Sequence, residues 1–154
     1  MKRVTDLLTA LVFISLTVFI SCNKGGGGDD GPTPQEEQVA KLVGTWVLAT
    51  DGAKLGTTVR PEWEGLTVVI SGNADGGTIA VEGIPQDTGA SDVWPTSTTW
   101  TFGGSISDLD RVDGISMNIQ SVTDTQLIVS FTVSSSGRVE GFEGSWTFTF
   151  NKSS

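Results

Sequence analysis

Hydrophobic residues are distributed along this chain in three regimes. The first is an apolar run from Leu7 to Ile20, diluted only by Thr9, Ser15 and Thr17, behind the cationic head Met1-Lys2-Arg3. This is the layout of a secretory signal. The run is shorter than the roughly 20 apolar residues that a membrane span needs. The second regime, Asn23 to Pro34, has almost no side chain to bury and reads as a flexible Gly-rich tether. The third opens with a helical period. Thr33 is placed to cap, Pro34 suits the first turn, Glu36 completes a capping box, and Val39, Leu42 and Val43 share one face. Gly44 stops the run, so the pattern predicts a short helix over Pro34 to Leu42.

Beyond Gly44 the period changes to two. Trp46 and Leu48 share a face in a first strand, Leu66, Val68 and Ile70 in a second, and Ile79 and Val81 in a third. Trp100 and Phe102 mark a fourth strand. Ile115, Met117 and Ile119 alternate with Ser116, Asn118 and Gln120 in a fifth. Leu127, Val129, Phe131 and Val133 point one way in a sixth, and Phe142, Trp146, Phe148 and Phe150 line the last. Turn clusters at Gly72 to Gly77, Thr123 to Gln126 and Ser134 to Gly137 separate neighbours, so the strands are expected to be antiparallel. Clean alternation implies sheets with one buried and one wet face. The expected fold is all-β: a small antiparallel barrel of seven to eight strands after one short helix, with a β-sandwich as the alternative. Asp51 to Glu64 and Gly83 to Ser97 carry prolines and glycines and read as long loops at an open end, where binding residues tend to lie.

Cys22 is the only cysteine and directly follows Phe19-Ile20-Ser21 at the end of the apolar run. An unpaired thiol is a liability in an exported protein. The segment resembles the lipobox of bacterial lipoproteins. That resemblance implies a diacylglyceryl group on the Cys22 sulfur, removal of residues 1–21, and acylation of the new amino terminus. Two or more acyl chains hold a protein to a membrane stably. The expected organisation is therefore a signal peptide (1–21), a tether carrying the lipidated Cys22 (22–34), and one folded domain (35–154). Asp29-Asp30 is similar to the acidic pair that follows the acylated cysteine in surface-exposed lipoproteins of the Bacteroidota; the alternative is a solvated linker. The implied location is the outer membrane, with the periplasmic side and the cell surface both open.

Charge and composition narrow the chemistry. The formal net charge is −9, and an acidic chain gains nothing from counterion release on nucleic acid. Histidine is absent, which removes the Ser-His-Asp and His-dependent zinc arrangements. With the one thiol assigned to lipid and no carboxylate pair fixed at catalytic distance around Glu62 and Glu64, no enzymatic activity, cofactor or metal is expected. Asp108 to Gly114 has acids near calcium-loop spacing, but the third falls one position late and no glutamate follows where the loop requires it. It reads as an acidic turn between strands. Trp46, Trp100 and Trp146 are in register with the core. Trp63 and Trp94 fall in the two loops, where they either line a mouth as ligand-binding residues or fold back as plugs.

Leu42-Val43-Gly44-Thr45-Trp46-Val47-Leu48 resembles the G-x-W signature of lipocalins, which follows a helical turn and opens the first barrel strand. Ile119 to Leu127 and Gly144 to Phe148 look like the closing strands of the shortened lipocalin-like domains of Bacteroidota lipoproteins. The resemblance implies structural roles for Gly44 and Trp46 and a small apolar ligand. It also implies a late arginine stacked on the tryptophan, and the last strand here carries none. Three functions compete: a lipid-anchored lipocalin-like domain holding a small hydrophobic ligand, an envelope protein acting by protein contacts, and a surface glycan-binding sandwich. An apolar cavity at an open end favours the first, a solid core the second, and an exposed pair of tryptophans the third.

Overall fold

A computed structural model describes residues 31–134 and 141–153. The segment expected as a signal peptide, Cys22 and Asp29-Asp30 lie outside these residues. Helix α1 (Pro34–Leu42) has the expected bounds. Its capping box is complete: Thr33 Oγ1 accepts from the Glu36 amide at 3.3 Å, and Glu36 Oε2 accepts from the Thr33 amide at 2.7 Å. The strands are β1 (Gly44–Leu55), β2 (Thr58–Val59), β3 (Thr67–Asn73), β4 (Gly76–Glu82), β5 (Ser97–Phe102), β6 (Asp108–Arg111), β7 (Ser116–Val122), β8 (Gln126–Val133) and β9 (Gly144–Lys152). A 3₁₀ turn, Pro61–Trp63, follows β2, and a four-residue helix α2 (Ala90–Val93) lies between β4 and β5.

Every strand pairing is antiparallel, and the order runs β1-β3-β4-β5-β6-β7-β8-β9 before returning to β1. The sheet is a closed eight-stranded barrel, so the sandwich alternative falls. β2 is a hairpin arm paired only with the end of β1. Closure removes the open edges that would otherwise invite pairing with another chain. β1 manages the closure by a bulge between Leu48 and Ala53, where Asp51 takes φ 54°.

Of the segment expected as an acidic turn, only residues 112–114 form the turn, and Asp108–Arg111 is instead strand β6. Leu109 and Arg111 point inward from it, while Asp108 and Asp110 face out. Its alternation is hidden in the sequence because one of its two inward residues is charged. The two expected loops are also more ordered than their prolines suggest, for β1 runs on to Leu55 and both carry short helical turns.

Up-and-down connectivity sorts the connections to two ends. The base has α1, the β3–β4, β5–β6 and β7–β8 turns, and Lys152. The opposite end has the β1–β2 arm, the 3₁₀ turn, α2 and the β6–β7 connection.

Candidate functional site

At the base, Gly44 has φ 146°, and a Cβ there would stand 2.8 Å from Lys152 Cε. Glycine therefore lets the chain turn from α1 into β1 underneath the Lys152 stem. Trp46 enters the core two residues later, fully buried, and its indole Nε1 donates to the Leu42 carbonyl at 2.8 Å. Lys152 shares the inward parity of Phe148 and Phe150. Its ammonium lies 5.0 Å from the Trp46 ring centroid and donates to the Lys41 carbonyl at 3.3 Å. One lysine thus ties the last strand to the first strand's tryptophan and to the end of α1.

The opposite end is closed from within. Trp146, Phe148 and Phe150 alternate along β9 and stack in a column, with centroids 5.5 and 6.0 Å apart. Trp63, from the 3₁₀ turn, packs edge-on to Trp146 at 5.5 Å and to Phe148 at 5.6 Å. Trp94, just after α2, packs edge-on to Phe131 at 5.3 Å, Phe148 at 5.5 Å and Phe150 at 6.3 Å. The two residues that were candidates for a mouth are 0% and 1% exposed. They are brought together on Phe148, as plugs. Edge-to-face contacts of this kind are each worth about 0.5–1.5 kcal/mol beyond area burial.

Two arginines pack on this aromatic cluster, Arg111 on the Trp94 plug and Arg60 on Trp146, which Trp63 also contacts. The Arg111 guanidinium lies 5.3 Å from the Trp94 centroid and 5.6 Å from that of Phe131; it donates to the Val93 carbonyl at 2.9 Å and pairs with Asp113. Arg60 lies 5.3 Å from Trp146 and 5.5 Å from Phe142, pairs with Glu62, and donates to the Gly141 carbonyl at 3.3 Å. Sequence pattern alone picked out none of Arg60, Arg111 and Lys152 as part of the core. The available signal was parity: Lys152 is two residues beyond Phe150, and Arg111 two beyond Leu109.

The indole donors fall into two sets. Those of Trp46, Trp100 and Trp146 reach the Leu42, Ser71 and Phe142 carbonyls at 2.8, 3.2 and 2.8 Å. Those of Trp63 and Trp94 are buried with no acceptor among the described residues.

On the outside of the base, α1 and the β3–β4 turn bound an open groove of about 550 Å³ lined by Glu36, Val39, Ala40, Val43, Gly72, Asn73, Ala74 and Asp75. On β6, Asp108 accepts from Ser105 at 2.7 Å and from Asn118 at 3.1 Å, which holds its carboxyl below the ordinary 3.8. Asp110 accepts from Ser116. These carboxylates are engaged along the outer wall rather than converging, and no cluster of three or more metal-ligating side chains occurs among the described residues. No described helix is long and apolar enough to cross a membrane.

By sequence comparison, the chain matches no known protein family and no curated protein.

Proposed function

We propose that this is a lipid-anchored envelope protein, held at the outer membrane through Cys22, whose lipocalin-like barrel works by protein contacts at its surface. The observation that carries the reading is the filled interior: Trp63 and Trp94 occupy the space above the β9 aromatic column in which a ligand would sit. The outer wall is consistent with contact. Val47 and Val69, on the neighbouring strands β1 and β3, are each 40% exposed there. Lys152 against Trp46 supports the lipocalin-like element of the reading, as a basic residue where the resemblance implies one.

A second reading keeps the barrel as a site for a small apolar ligand, and one observation favours it. The Trp63 and Trp94 donors lack acceptors, and both residues are carried on short turns rather than on strands. A ligand bearing an acceptor would satisfy them once the plugs move. The glycan reading loses its platform, because all five tryptophans are buried.

Tryptophan fluorescence of the protein titrated with fatty acids, retinoids and oligosaccharides tests the choice. The contact reading expects no spectral change with any of them. A saturable blue shift or quench with an apolar ligand would replace it with the second reading.

A further inference from the structure

The groove at the base points to where such a contact is made. Its α1 wall is apolar, formed by Val39, Ala40 and Val43, and Val43 remains 36% exposed. Its other wall is the β3–β4 turn, made wholly of short residues. A side chain at Gly72 is excluded, since a Cβ there would stand 2.3 Å from the Gly76 carbonyl oxygen, so the turn stays thin. The two charged residues in the lining, Glu36 and Asp75, are both acidic and sit on opposite walls.

We propose that this groove docks a short segment of a partner protein that places an apolar side chain beside a lysine or arginine, the apolar group on the exposed Ala40 and Val43 and the cation between Glu36 and Asp75. The inference rests on the contact reading and names its surface. Three features support it. The groove holds about 550 Å³, room for a few side chains. It is open along its length, which suits a chain segment better than a small molecule, whose sites bury most of the ligand. Its charge is complementary to a cation and repels an acidic segment, and such complementarity sets which partner is accepted more than how tightly it binds. Glu36 keeps its charge for this role, because its hydrogen bonds with Thr33 favour the carboxylate.

The test uses the full-length protein in neutral phospholipid nanodiscs and a fluorescein-labelled, end-blocked peptide, Leu-Lys-Val-Lys-Leu, followed by anisotropy. The Leu-Glu-Val-Glu-Leu counterpart is the control. The expected result is saturable binding of the lysine peptide alone. Ala40→Lys, on the exposed face of α1, should weaken it by about tenfold or more through bulk and charge. Asp75→Asn, at the exposed turn, should weaken it about two- to threefold and reduce its salt dependence. Thermal midpoints of both variants report that folding is intact. Equal binding of the two peptides, no binding of either, or undiminished binding by Ala40→Lys would overturn the groove assignment. Should that happen while tryptophan fluorescence stays silent to apolar ligands, the groove fails and the contact reading survives. An apolar ligand that shifts the fluorescence defeats the contact reading instead.

Discussion

Tryptophan is the residue on which this core turns, and the five indoles are not equivalent. Phe in place of Trp removes part of the ring and the N–H donor together. At Trp46 and Trp146 the donor is bonded at 2.8 Å, so its loss also strands the Leu42 or Phe142 carbonyl. At Trp63 and Trp94 the donor has no acceptor, and an unmet buried donor costs about 1–3 kcal/mol. Removing it offsets much of the lost packing. Trp63→Phe and Trp94→Phe are therefore expected to lie within about 1 kcal/mol of the parent in urea unfolding, while Trp46→Phe and Trp146→Phe cost about 2–4 kcal/mol. Equal losses at all four positions would mean that the orphaned donors are satisfied in solution, by buried water for instance. Strand parity by itself makes Trp46, Trp100 and Trp146 legible as core. Nothing in the local sequence decides between mouth and plug for Trp63 and Trp94. That depends on Phe148, more than 50 residues further along the chain, toward which both turn.

At the scale of elements, the helix is the easiest to read and the loops the hardest. Capping and stop signals are local, so α1 is legible to the residue; β6 is not, because an inward arginine breaks the apolar alternation that identifies a strand. The same arginine holds the α2 segment down. Arg111→Met keeps the stem's packing but removes the donor to Val93 and the charge facing Asp113, Trp94 and Phe131. Loss of about 2–4 kcal/mol is expected, together with faster acrylamide quenching of tryptophan emission as the plug loosens. At the base, α1 carries a pH dependence whose sign is fixed. The Glu36 carboxyl is held below its ordinary 4.5 by its hydrogen bonds with Thr33. A depressed carboxyl contributes stability above its unfolded value and loses it as pH falls through the folded one. Amide protection in α1 should be constant above pH 4.5 and decline below it, measured by hydrogen exchange relative to β8. Glu36→Gln should flatten that decline, and an unchanged decline would assign it to other carboxylates.

For the whole molecule, the decisive feature is that the barrel closes on itself. β1 meets β9 across Trp46 to Leu55, and the Ser153 amide returns to the Thr45 carbonyl, so every strand of the closed sheet lies between Gly44 and Lys152. Alternation and short turns imply a one-sided antiparallel sheet. The choice of barrel over sandwich is not legible in them, because it is decided by the pairing of the first and last strands, a contact between the two ends of the domain's chain. Helix α1 is fastened outside that ring through Trp46 and Lys152. An anchor at Cys22 would thus act on location and leave the fold's energetics alone. Cys22→Ala is expected to abolish lipid labelling and release the protein from the membrane fraction, while the thermal midpoint of the body moves by less than about 2 °C. Retained labelling or retained membrane association in the variant would remove the lipoprotein reading. A large fall in the midpoint would mean that residues upstream of α1 contribute to the barrel's stability, contrary to the separation of anchor and body argued from its closure.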